Sequence, residues 1–315
     1  MYERIDGTAT AATVLFPWFP GPAMLRRTAA GAQIYKMIGD VIKERKAEGR
    51  REDDALQFLL DQGDDTLGVL TVRRGHEHGP KRMTELMTSL QFIMGALFAG
   101  QVNSGVNAAW MLVYLANEPA WLNKVYEEMR TACAKSGADQ SLPLVEQLSR
   151  LSMEQWEGGF PTIDHCLKET IRIQMQGTGF RRNMTGRDVS LGDVTVPAGS
   201  VVAYLIDEAH MDPGIYAQPE LWDPARYAAG RAEDRKQPMA WVGWGAGRHP
   251  CLGMRFAKLE MNIIVALFVA AFEFELCDAD GRPRGLPHVE RNATVATRPA
   301  DRPFLKFRAR EGGLK

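Results

Sequence analysis

Residues 241–261 read WVGWGAGRHPCLGMRFAKLEM. Gly243, Gly245 and Gly247 crowd the run before Cys251, and Gly253 follows it. An apolar series continues through Leu252, Phe256, Leu259, Ile263 and Leu267, the spacing of one helix face. Glycine brings backbone close to a flat ligand with no side chain between them. A cysteine at the mouth of a helix meets the positive end of the dipole and free N–H groups, which favour the thiolate, the form that binds metal. A lone cysteine is otherwise a small buried hydrophobe, so the choice rests on the rest of the chain.

The chain has 315 residues, 45% hydrophobic and 24% charged, ordinary values for a globular protein with a sizeable core. A net charge of −1 gives no reason to expect nucleic acid or an anionic membrane as partner. Cys133, Cys166, Cys251 and Cys277 form no CxxC pair, which argues against zinc and a disulfide framework and fits a reducing compartment. No signal-peptide pattern opens the sequence. The longest apolar runs, Phe92–Ala99 and Ile263–Phe272, fall short of the roughly 20 residues that span a bilayer.

Within residues 1–30, Pro17, Pro20 and Pro22 with Trp18 and Phe19 read as a stiff apolar loop. Residues 31–61 read as two helices. The first carries Ile34, Ile38, Val41 and Ile42, with the basic run Lys43–Arg51 solvated; the second carries Ala55, Leu56, Leu59 and Leu60. Residues 61–81 read as a loop, with His76 and His78 exposed in it. From Leu86, Leu90, Ile93 and Leu97 to Val106, Trp110 and Tyr114 a helical period runs without proline, predicting one helix over about 82–116. Gly95, Gly100 and Gly105 each weaken it by roughly 1 kcal/mol, so their spacing predicts a close approach or a kink.

Helices are expected over 121–135 and 144–151. Thr162 reads as the N-cap of a third, with Asp164 in its first turn. That helix carries CLKETIR, in which Glu169 and Arg172 share a face at i,i+3. DVSL (residues 188–191) and VTV (194–196) flank a Gly192-Asp193 turn, a hairpin pattern. SVVAYLI reads as a strand, residues 207–240 as a loop-rich meander, and Phe272–Leu276 and Phe304–Phe307 as closing strands.

The stretch around Cys251 resembles the haem-binding loop of the cytochrome P-450 (haem-thiolate) family, aromatic-x-x-Gly-x-Arg/His-x-Cys-x-Gly. Here it reads Trp244, Gly247, His249, Cys251 and Gly253, with Trp where Phe is usual. Ala99-Gly100-Gln101-Val102-Asn103-Ser104 resembles the motif of the family's long central helix. Glu169 and Arg172 resemble its Glu-x-x-Arg pair, and Arg226 in DPARY its third, structural member. Arg182 stands where the family pairs an arginine with a haem propionate, with adjacent Arg181 as the alternative. AGQ, GAGRH and EDDALQFLLD are most similar to sterol 14α-demethylases.

The resemblance implies a mainly α fold with a small β region: one haem-thiolate domain over 1–315, with the family's N-terminal part missing. It implies heme b held by Cys251 as axial ligand, against Gly245, Gly247 and Gly253, with His249 and Arg182 at the propionates. The implied activity is monooxygenation of a lipophilic, sterol- or terpenoid-like substrate. Electrons would come from an NADPH-dependent reductase docked below Cys251, with Arg255 and Lys258 as candidate contacts. The implied location of the full-length protein is the cytoplasmic face of the endoplasmic reticulum membrane, held there through the missing N-terminal region. The central motif departs at its acid and threonine positions, which are Val102 and Asn103. Val102 can deliver no proton, whereas Asn103 offers an amide to orient water or a substrate oxygen, with Ser104 assisting. Similar departures occur in P-450-like isomerases and dehydratases that rearrange peroxides without taking up oxygen, which is a second reading. A third is an inactive fragment that cannot close its pocket.

Overall fold

The computed structural model describes residues 21–54, 56–57, 81–175, 177–289, 299 and 301–310. The second short stripe expected from Ala55 to Leu60 lies mostly outside the described residues, and so does the loop with His76 and His78, all but Lys81. Two compact units are present, Met1–Val102 and Asn103–Lys315.

In the first unit, helix α1 spans Pro22–Glu48, starting nine residues before the expected helix. Pro22 opens it rather than belonging to a loop, because a proline in the first turn gives up an N–H that has no helical partner there. Gly49, in the left-handed region at φ 62°, ends it by donating to the Arg45 carbonyl. Ala30, Ile34 and Ile42 are buried. Helix α2 spans Lys81–Asn117, one residue beyond the expected helix at each end. No described atom comes within 4 Å of where a Cβ would stand on Gly95, Gly100 or Gly105. Among the described residues these glycines meet open space, where their spacing predicts a close approach or a kink.

In the second unit the end of α2 packs with α3 (Pro119–Lys135), α4 (Leu144–Leu148), α5 (Met153–Gly158), α6 (Pro161–Gln174) and α8 (Met254–Ala271). Met111, Leu115, Val125, Met129, Ile163, Leu167, Val265 and Val269 form the heart of this core. The single helix expected over 144–151 is broken after Leu148. Ser152 and Gln155 then begin α5 with a reciprocal capping box, a signal that was present in the sequence. Thr162 is not the N-cap of α6. Phe160 holds that position, and the freed N–H groups of Thr162 and Ile163 donate to Glu128 of α3 at 2.7 and 3.1 Å. A neighbouring helix thus supplies the capping carboxylate.

Strands pair antiparallel in twos among the described residues. β1 (Thr178–Arg182) pairs with β4 (Val201–Leu205), and β2 (Val189–Leu191) with β3 (Val194–Val196) across Gly192, φ 57°. β5 (Phe272–Cys277) pairs with β6 (Phe304–Ala309). A one-turn helix α7 (Ile206–His210), not expected from sequence, follows β4 directly. No helix among the described residues is long and apolar enough to cross a membrane.

Candidate functional site

The loop 241–253 is pinned at its start and open at its end. Gly243 is buried, and a Cβ there would overlap the Trp241 ring and Ile171, so only glycine fits. Gly245 and Gly247 adopt φ 76° and 74°. Gly245 donates to the Val242 carbonyl at 2.8 Å, and Cys251 donates its N–H to the Trp244 carbonyl at 2.6 Å. The loop thus doubles back and delivers Cys251 three residues ahead of α8, whose N-cap is Gly253.

Cys251 is exposed, whereas Cys133, Cys166 and Cys277 are buried. The start of the apolar series after it stands away from the core, whereas Leu259, Ile263 and Leu267 pack against the core's edge. Leu252 is 90% and Phe256 67% exposed, and Leu259, Ile263 and Leu267 are only partly buried. The core side of α8 is instead Met261, Val265, Ala266, Val269 and Ala270. The exposed Leu252, Met254 and Phe256 leave the N-terminal end of α8 for something other than this core.

The charge network beneath the loop is wholly buried. Glu169 receives Arg172 Nε and Nη2 at 2.8 Å each, Arg226 Nε at 3.0 Å, the Asp223 N–H at 3.0 Å and the Tyr227 hydroxyl at 2.8 Å. Arg226 also donates to Glu233 at 2.9 Å. Burial, and after it the neighbouring Glu169 charge, holds the Tyr227 hydroxyl well above its ordinary pKa. The pair Glu169–Arg172 and its third member Arg226 come together as expected, and Glu233 is a fourth member that spacing did not reveal. Trp241 joins the loop to α6, donating its indole N–H to the Lys168 carbonyl at 3.2 Å.

His249 and Cys251 share the exposed stretch of the loop. Arg181 and Arg182 are both exposed on β1; Arg181 bonds the neighbouring Phe180 carbonyl at 2.9 Å. Asn103 is exposed on α2, with its carbonyl accepting from Asn107 Nδ2 at 2.9 Å, while Ser104 is buried. The two side chains therefore do not share a face. Arg255 and Lys258 have partners within the chain, Glu157 and Asp164.

Among the described residues no three His, Cys, Asp or Glu side chains gather as a metal site. A metal at Cys251 would have one protein ligand and must bring its others with it, as iron in a porphyrin does. Open space at the Cβ positions of Gly247 and Gly253 and the uncovered Leu252, Met254 and Phe256 suit a flat, largely apolar group. The residues present fit haem.

The chain belongs to the cytochrome P450 family, whose model matches residues 4–300. It is 34% identical over 281 residues to the cytochrome P450 monooxygenase AacuE of Aspergillus aculeatus, covering 88% of this chain and 52% of that protein. An obtusifoliol 14-alpha demethylase of Triticum aestivum is 28% identical, over 88% of this chain and 56% of its own. A retinoic acid-bound cyanobacterial P450, CYP120A1, shares the fold at TM-score 0.71 and 24% identity, over 98% of this chain and 62% of that one. The chain spans about half the length of the curated relatives it matches.

Proposed function

We propose that this chain is the haem-binding part of a monooxygenase that oxidises a lipophilic substrate with O2 and electrons from a reductase. The observation that carries the reading is the exposed Cys251 on a glycine-shaped loop, flanked by apolar side chains left out of the core. Haem, when bound, supplies the one-electron and oxygen chemistry. Cys251 supplies the anionic sulfur, Gly247 and Gly253 let the macrocycle lie against backbone, and Gly245 turns the loop that presents them. His249 and Arg182, both exposed, supply donors for propionates, charge-assisted in the case of Arg182. Asn103 presents an amide that can hold a water or a substrate oxygen, while Ser104 is buried on another side of α2. Names of relatives such as the Triticum aestivum demethylase support a sterol- or terpenoid-like substrate. An NADPH-dependent reductase as donor, and the endoplasmic reticulum membrane as location, belong to the same proposal for the whole protein.

The replacement of an acid and a threonine by Val102 and Asn103 favours one second reading, a haem-thiolate isomerase or dehydratase that takes up no oxygen. Reductant consumption during turnover separates the two, since the isomerase needs none. A carbon monoxide difference spectrum of the reduced, haem-reconstituted chain tests both. The red-shifted band of a thiolate-ligated haem is expected in the wild type and its loss in Cys251→Ala. A variant that keeps the band unchanged refutes the assignment.

A further inference from the structure

His210 closes α7 and is wholly buried. Its carbonyl, at the end of that helix, accepts Arg172 Nη1 at 2.6 Å. Its Nε2 accepts the backbone N–H of Val242 at 3.0 Å. The ring stacks on Trp241, with centroids 5.9 Å apart and planes 29° apart. From Val242 the bonding continues through Gly245, and the Trp244 carbonyl receives Cys251. One residue therefore ties the Glu169–Arg172–Arg226 network to the backbone that carries the cysteine.

An accepting Nε2 requires a neutral ring with its proton on Nδ1. That Nδ1 is buried and has no hydrogen-bond partner among the described residues. A buried N–H without a partner is costly, and a ring kept only for packing could be phenylalanine and avoid the cost. What phenylalanine lacks is the acceptor at Nε2.

We propose that His210 is a positioning residue for Cys251: its neutral imidazole holds the Val242 N–H, which fixes the loop on the buried charge network and thereby aims the Cys251 sulfur. The proposal rests on Cys251 being the haem ligand. It assigns His210 no contact with haem or substrate.

The test compares wild type, His210→Phe and His210→Gln as full chains reconstituted with haem. Phenylalanine keeps a ring against Trp241 and removes the acceptor. Glutamine removes the ring but can set its amide oxygen where Nε2 stands. The ferrous carbon monoxide spectrum of H210F is expected to move from the thiolate band toward that of a neutral-thiol centre. Its haem should pass to excess apomyoglobin about tenfold faster or more, with H210Q within about threefold of wild type. An H210F protein matching wild type in both readouts overturns the proposal and leaves the Cys251 assignment standing. A wild type with no thiolate band removes that assignment and this proposal with it. Should H210F fail to fold, the nitrogen-15 histidine spectrum of the wild-type ferrous carbon monoxide form decides. A Nδ1–H tautomer at His210 is expected, and an Nε2–H tautomer overturns the proposal.

Discussion

Replacing Glu169 by Gln exchanges one oxygen for one NH2 group in the interior of the second unit. Glu169 Oε1 accepts from Arg172 Nη2, Arg226 Nε and the Asp223 N–H, and Oε2 from Arg172 Nε and the Tyr227 hydroxyl. The glutamine oxygen belongs on the more crowded side, which puts its NH2 group where Oε2 was. Tyr227 can turn its hydroxyl to accept, but Arg172 Nε is donor only and then faces another donor. Two buried guanidinia also lose a shared negative charge. Breaking a buried ion pair from one side costs about 3–5 kcal/mol. Here the carbonyls of His210 and Pro219 still serve Arg172, and Glu233 with the Ala217 and Gln218 carbonyls still serves Arg226. That places the expected loss near the lower end, about 3 kcal/mol. Urea unfolding is the suitable assay, because an uncharged denaturant does not screen the ion pairs it reports on. The midpoint should fall by roughly 1 M. A loss below about 1 kcal/mol would refute the view that this carboxylate holds the network together, since that is the range of an ordinary exposed ion pair.

Acid should weaken the fold through His210, whose imidazole is held down to about 3 by burial first and by the Arg172 charge after it. Below about pH 6.5 the unfolded chain binds a proton that the folded chain refuses, so this contribution falls by about 1.4 kcal/mol per pH unit toward 3 and is constant above 6.5. Urea unfolding from neutral pH to about pH 5 should be steeper with pH in wild type than in His210→Gln, and equal slopes would count against it. Glu128→Ala removes the carboxylate that caps α6 from α3, and should cost about 1–2 kcal/mol in the same assay, the range of a lost N-cap.

The parts of the fold legible in the sequence were those fixed by local chemistry. The proline-free apolar period gave α2, the Gly192-Asp193 turn gave the β2–β3 hairpin, and the run from Trp244 to Gly253 marked the cysteine loop. The misses share a cause: a distant partner does what a local residue was expected to do. Glu128 caps α6 from thirty-four residues upstream of Thr162. Glu233 completes a network whose other members lie as far back as Glu169. His210 meets the loop at Val242 with nothing between them in sequence to show it. The break before Ser152 is different, because its capping box could have been found three residues apart.

The apolar series from Leu252 to Leu267 shows why periodicity alone could not separate core from site. A helical period of apolar residues says which side chains leave water, and not what covers them. In this series Leu259, Ile263 and Leu267 pack against the core, and Leu252 and Phe256, nearest Cys251, are the ones this core does not take up. A helix that only packed would carry polar residues there. Exposed Leu252 and Phe256 beside the one exposed cysteine among the described residues are therefore the same fact seen twice. A sulfur that holds a metal needs a surround that excludes water from the bond, and on the proposed function the uncovered Leu252 and Phe256 would supply part of it.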